Sequence, residues 1–305
     1  ARWKLRTADS AMRDADTPPF RPPLWLRHAH LQTVWTNWAS RPAAQTRLAE
    51  SARRETIRVL DDELLLHWDD VDDPAAPIVI VLSMDGVRHD YPHRPGLPAF
   101  ARMLRDGAHA QRLRPVFPTL TFPNHVSLAT GTHADVHGIV ANRFYDPVRA
   151  ETFDYGNDAS WIEAEPLWAA AERQGVRAAV FFWVGSETDW RGTGASLRMA
   201  PFDSRVPESR KVDQMLAWLA LPEPERPRLV MAWWHGADHA GHAHGPDDAA
   251  VDRALREQDA ELGRLIDALD ARDAWTTTTL VVVSDHGMIE AGEPVDAQAV
   301  LRAAG

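Results

Sequence analysis

The sequence predicts an α/β protein: a largely parallel sheet sandwiched by helices, preceded by a β-hairpin lead-in. Three observations carry that prediction. From about residue 77 onward strand-like and helix-like segments alternate, the pattern of crossover units that force parallel pairing. The strand candidates are nearly unbroken apolar runs, as expected of a sheet covered on both faces. The 305 residues are 45% hydrophobic and 25% charged, enough apolar material for a real core and too much for a disordered or fibrous chain.

Taken in order, Thr17–Pro23 is Pro-rich and must be extended or turning, because Pro fixes φ and biases its predecessor away from helix. Glu55–Val59 and Leu64–Trp68 are short β-prone runs on either side of Leu60-Asp61-Asp62-Glu63, which reads as a hairpin. Asp69–Pro77 is an acidic, Pro-containing hinge and the best boundary in the chain, dividing a lead-in at 1–76 from a domain at 77–305. Beyond it, Ile78–Ser83, Ala178–Val184, Leu229–Trp234 and Thr279–Ser284 read as strands. Pro98–Arg105, Glu165–Gln174, Glu208–Leu221, Asp247–Asp270 and Ala297–Ala303 read as helices. In the longest of these, Val251, Leu255, Leu262, Leu265, Ile266 and Leu269 share one face at 3.6-residue spacing.

Composition excludes several function classes. With 33 basic against 44 acidic residues the formal charge is −11, so a nucleic-acid backbone is not expected as a general partner. The absence of Cys removes disulfides, Cys-ligated zinc, iron–sulfur clusters and thiol catalysis. Any metal must be held by His, Asp, Glu or hydroxyl groups. No apolar run approaches the ~20 residues that span a bilayer. The N-terminus, ARWKLRTADS, is polar and begins with Ala rather than Met, which leaves room for a removed leader; localisation stays open.

In such sheets ligands bind beyond the carboxyl ends of the strands. The first core strand ends in Ser83-Met84-Asp85-Gly86. The Leu229–Trp234 strand runs into His235-Gly236-Ala237-Asp238-His239-Ala240-Gly241-His242, and the Thr279–Ser284 strand ends in Asp285-His286-Gly287. Asp85-Gly86 alone also reads as a turn, and Asp285-His286-Gly287 alone as a cap or loop. Asp238 and His242 stand at the i, i+4 spacing that lets two side chains converge on one cation, with a solvated polar loop as the rival. His235, His239 and His244 read as surface or supporting residues. Together the strand-end groups fit a two-cation site of N and O ligands, zinc above all. Pro118 and Pro123 bracket Thr119-Leu120-Thr121-Phe122, just before a helix expected to begin at Phe122. Thr121 is therefore either a plain N-cap or, beside a metal, a nucleophile in a setting that favours anions.

VLSMDGVRHDY (81–91), PVFPTLTFPNHVSLATGTHADVHGIVANRFYD (115–146), FFWVGSE (181–187), DHAGHAHGP (238–246) and VVVSDHGM (281–288) resemble, in order, the motifs of the nucleotide pyrophosphatase/phosphodiesterase family of the alkaline phosphatase superfamily. The resemblance implies an alkaline phosphatase-like core and hydrolysis of phosphodiester or pyrophosphate bonds in a small molecule or nucleotide. It implies one zinc held by Asp85, Thr121, Asp285 and His286, and a second held by Asp238 and His242. Thr121 would attack phosphorus to give a phospho-threonine that water hydrolyses. Asn142 would donate to a non-bridging phosphate oxygen, and Phe122 would help line the pocket for the organic group. Leu120 stands where the family often has Lys, away from the ligand positions. Members of the family are often exported or periplasmic.

Two departures accompany the resemblance. The family's second zinc takes a further His from well beyond the DHGM motif, and this sequence ends at Gly305, so that site and the C-terminal part of the core are expected to be incomplete. FRPPLWLRHAHLQTVWTNW (20–38) and RRETIRVLDDELLLHWDD (53–70) are similar to the lead-in of a bacterial family of esterase-like α/β-hydrolases, with Trp25, Trp35, Trp38 and Trp68 expected as packing residues of an aromatic flap. Two other readings thus stand beside the phosphodiesterase. One is a truncated, inactive protein that binds one metal and phosphate without turnover. The other is a carboxylesterase, disfavoured because no G-x-S-x-G elbow occurs.

Overall fold

The structure is a computed structural model that describes residues 77–292 and 297–304, together with the paired segments 57–60 and 63–66. Strands β1 (Ile57–Leu60) and β2 (Glu63–Leu66) pair antiparallel, with Leu60 opposite Glu63. The expected hairpin is therefore present, tighter by a residue on each side of its turn. The Pro-rich stretch, the hinge before Pro77 and the four expected packing tryptophans lie outside the described residues.

The main sheet grows from the apolar runs. Its strands are β3 (Ile78–Met84), β6 (Ala178–Phe181), β7 (Leu197–Met199), β8 (Leu229–Trp234) and β9 (Thr278–Val283), in the order β7-β6-β8-β3-β9. Every pairing is parallel. Burial explains the unbroken apolar runs: each residue of β6 and β8 is buried, and β3 and β9 nearly so. Register then sets the site. Ser83 pairs with Val283 and Met84 with Trp234, so Asp85, Asp285 and His235 emerge level with one another at the carboxyl edge.

Helices α1 (Pro98–Asp106), α2 (Thr121–Thr130), α3 (Ala134–His137), α4 (Leu167–Arg173), α5 (Glu208–Leu219), α6 (Gly236–His244), α7 (Ala249–Ala271) and α8 (Ala297–Ala304) accompany it. One group centres on α7, which packs against α1, α5 and α6; in the other, α4 lies on β6 and touches α2. The six apolar residues expected on one face of α7 are all buried, and Asp248 caps that helix by accepting from the backbone N–H of Ala250. Asp259, inside α7, accepts from the N–H groups of Ala99 and Phe100 at 3.1 and 2.8 Å. It serves the N-terminus of α1, whose N-cap residue, Leu97, has no side chain able to do so.

Three details depart from expectation. The strand read as Ala178–Val184 ends at Phe181, because Phe182 turns to φ 61°. An antiparallel pair, β4 (Arg143–Asp146) with β5 (Glu151–Asp154), was not foreseen. Strand β7 was not foreseen either, whereas the stretch after Trp234 is helix α6, as the i, i+4 spacing of Asp238 and His242 suggests, and not the rival solvated loop. Among the described residues no helix is long and apolar enough to cross a membrane.

Candidate active site

Four of the residues singled out in the sequence meet at the carboxyl edge. His286 Nε2 lies 3.1 Å from Asp285 Oδ2, 3.5 Å from Asp85 Oδ1 and 3.2 Å from Thr121 Oγ1. The other ring nitrogen, Nδ1, faces the carbonyl of Gly287 at 2.9 Å, an acceptor, so in the neutral ring Nε2 presents its lone pair to the cluster. Asp85 and Asp285 are both buried. Asp85 Oδ2 accepts from Trp233 Nε1–H at 3.0 Å, and Asp285 Oδ1 accepts from the Gly86 N–H at 3.2 Å. The second oxygen of each carboxylate has no hydrogen-bond donor, and neither has Asp238 Oδ1.

Buried carboxylate oxygens without donors are costly unless something positive completes them. Burial, then the charges of Asp285 and Asp238, push the Asp85 carboxyl well above the usual range. Burial also raises Asp238, against the opposing pull of His242 and His286. Burial pushes Asp285 up as well, but His125, His286 and the Gly86 N–H together outweigh it and hold its carboxyl low. One ligand atom from each of Asp85, Asp285 and His286 lies within 4.8 Å of the others. Hard oxygen donors and an imidazole in this arrangement fit a divalent cation such as zinc.

Asp238 adjoins this cluster through the Asp85-Gly86 turn. Gly86 has φ +67°, and a Cβ placed on it would meet Asp238 Cα and Cβ at 2.9 Å and Oδ1 at 3.2 Å. The turn and the site are thus one feature, and only glycine admits both the backbone conformation and the approach of α6. His242 follows Asp238 by one helical turn, with Nε2 at 3.4 Å from Asp238 Oδ1, but its side chain is 74% exposed. It stands beside the cluster rather than inside it. His239 and His244 are exposed, and His235 is half-buried against the ammonium of Lys211 at 3.3 Å.

Thr121 is the first residue of α2, with Leu120 as the N-cap, and no side chain of its own helix caps that end. Its hydroxyl faces His286 instead, so the plain N-cap reading is not what the structure shows. Asn142 performs the capping: its Oδ1 accepts from the Phe122 N–H at 2.9 Å, which leaves its NH2 as the available donor group. Phe122 is buried, its ring edge-on to Phe153 at 5.8 Å and to Tyr155 at 5.4 Å. Tyr155, 58% exposed, is the ring of that pair that faces outward. Sequence reasoning passed over Trp233 and His125. Only the spacing of His125, four residues after Thr121 on one helix face, hinted at its role.

The chain matches the type I phosphodiesterase / nucleotide pyrophosphatase family over residues 79–305. It is similar to human ectonucleotide pyrophosphatase/phosphodiesterase family member 1, 34% identical over 218 residues, covering 70% of this chain and 24% of that protein. Xenopus laevis bis(5'-adenosyl)-triphosphatase enpp4 is 34% identical over 237 residues, covering 77% of this chain and 52% of the relative. Among solved structures, mouse ectonucleotide pyrophosphatase / phosphodiesterase 5, as an inactive threonine-to-alanine variant in complex with AMP, superposes with a TM-score of 0.66 at 29% identity, covering 72% of this chain and 59% of that one. The chain therefore spans between a quarter and about three fifths of the length of these relatives. A parallel sheet flanked by helices is the alkaline phosphatase-like fold of these solved structures, and this chain belongs to the type I phosphodiesterase / nucleotide pyrophosphatase family.

Proposed function

We propose that this chain hydrolyses phosphodiester or pyrophosphate bonds of a nucleotide-type small molecule, with Thr121 as nucleophile. The observation that carries the reading is the Thr121 hydroxyl, 3.2 Å from His286 Nε2 at the first turn of a helix and beside a cluster of donor-less carboxylate oxygens. Asp85, Thr121, Asp285 and His286 would hold one zinc, and Asp238 with His242 would contribute to a second. When bound, such cations neutralise charge on the transferring phosphoryl group and favour the ionised hydroxyl.

The chain's own residues do the rest. Thr121 Oγ forms a bond to phosphorus as the bond to the leaving oxygen breaks; the hydroxyl proton departs and the leaving group takes one up. Water then cleaves the phospho-threonine ester and restores the hydroxyl. The positive dipole end of α2 favours the anionic phosphoryl group. Asn142, oriented through its Oδ1 by the Phe122 N–H, is set to donate from Nδ2 to a non-bridging oxygen. The organic group would rest against the edge of the Phe122–Tyr155 pair. The Xenopus relative is named for cleavage of a dinucleoside triphosphate, and the mouse neighbour binds AMP in a threonine-to-alanine variant described as inactive; both support this substrate class and a threonine-dependent reaction.

The test is hydrolysis of a chromogenic phosphodiester with added zinc, by the wild type and by Thr121→Ala. Removal of the nucleophile should lower kcat on the order of 10³-fold or more. Equal rates in the two proteins would remove the mechanism.

A further inference from the structure

Directly behind the carboxylate cluster lies a fully buried imidazole. His125 sits one helical turn after Thr121 in α2 and is 0% exposed. Its Nδ1 is 2.9 Å from the backbone carbonyl of Thr121 and 3.4 Å from Asp285 Oδ2. Its Nε2 is 2.9 Å from the hydroxyl of Ser83, on β3 two residues before Asp85. Both groups facing Nδ1 are acceptors only, so Nδ1 carries the hydrogen. Ser83, which can donate or accept, takes the role that Nε2 leaves to it. The rings of Trp183 and Trp233 pack against the imidazole, each with its centroid at 5.3 Å, and Trp183 Nε1–H donates to the His125 carbonyl at 3.1 Å. Both indoles pack the imidazole into the close-packed core.

A histidine that merely fills a core is satisfied by one or two local partners. Here the three polar neighbours come from α2, β3 and the loop after β9, and two of them belong to the site. We propose that His125 is a positioning residue: its Nδ1–H, donated to the Thr121 carbonyl, sets its positive edge against the Asp285 carboxylate at 3.4 Å and so couples that carboxylate to the helical turn that carries Thr121, while the Ser83 hydroxyl keeps the hydrogen on that nitrogen. The inference rests on Asp285 as a cation ligand and Thr121 as nucleophile. Groups in this relation to a ligand typically contribute about 10–100-fold to metal affinity or turnover.

Zinc titration calorimetry and phosphodiester kinetics on the whole chain, with thermal melts, test it in His125→Leu, His125→Asn and Ser83→Ala. An Asn amide places an N–H where Nδ1–H stands, so it should restore most of what Leu removes. Leu should weaken zinc binding by about 10–100-fold and lower kcat with KM unchanged, and Ser83→Ala should show a smaller loss of the same kind. Zinc affinity and kcat within about two-fold of wild type in a cooperatively melting His125→Leu would overturn the proposal, as would equal losses in Asn and Leu. If Leu does not fold, Ser83→Ala decides, since it leaves the ring in place; behaviour identical to wild type overturns the proposal. Wild type that binds zinc without turning over the diester sinks the Thr121 reading alone, and the zinc affinities still judge His125. Wild type that binds no zinc removes both.

Discussion

Replacing Gly86 by Ala probes the point where the β3 turn meets α6. The backbone there has φ +67°, which costs an L residue about 1–2 kcal/mol. The added methyl would also lie 2.9 Å from both Cα and Cβ of Asp238. Because one of those atoms is helix backbone, relief requires α6 or the turn to move, an overpacking cost of about 1–3 kcal/mol. The combined destabilisation should be about 2–5 kcal/mol. Gly175 is a matched control: its φ is +78° and nothing lies within 4 Å of its would-be Cβ, so Gly175→Ala should cost the backbone component only. Guanidinium unfolding of both variants, with zinc titration of the folded proteins, separates the contributions. Gly86→Ala should also weaken zinc binding by displacing Asp238, whereas Gly175→Ala should not. Equal unfolding costs at the two glycines would refute the close approach of turn and helix, and with it the placement of Asp238 beside Asp85.

Two further outcomes follow from buried ionisable groups. Asp259→Ala should destabilise the protein by about 1–3 kcal/mol, because the N–H groups of Ala99 and Phe100 lose their acceptor; a change in unfolding free energy under 0.5 kcal/mol, read as about zero, would contradict it. Stability should also vary with pH at both ends of the neutral range. Burial lowers His137 from 6.5 to about 4, so the unfolded chain binds the extra proton and stability should fall by up to about 3 kcal/mol as pH drops from 6.5 to 4. Burial lowers Lys211 from 10.5 to about 8, opposed by Glu208. By the same sign, stability should rise by up to about 3 kcal/mol between pH 8 and 10.5. Denaturant midpoints across pH check both, and a Lys211→Met protein that kept the alkaline rise would refute the second.

What could be read from the residues was what local chemistry decides. Leu229–Trp234 was delimited to the residue because six apolar positions bounded by polar ones leave no other register. The α7 stripe was legible because its period holds over more than five turns. The strand-end acids and His286 were legible because parallel strands in register deliver consecutive polar residues to one edge. The β4–β5 pair escaped because RFYD and ETFD are four-residue runs with charges on both faces, and only the aromatic contact of Phe144 with Phe153 commits them to pairing. Phe182 ended β6 early through a backbone turn that its apolar side chain does not signal. His125 and Trp233 escaped for a different reason: Trp233 sits in an apolar strand whose pattern says core and His125 on a mixed helix turn, and only the tertiary neighbours, Asp285 and Asp85, reveal what they face.

Strand β9 lies at one end of the described sheet, held there by the ladder to β3 alone, while Asp285 and Asp85 extend those two strands side by side. A cation shared by these carboxylates would be a clasp across the seam between them. The acid–imidazole cluster and one margin of the sheet would then be secured by the same ion. Chelation should accordingly loosen β9 before it disturbs β8, and amide exchange along the two strands would tell them apart.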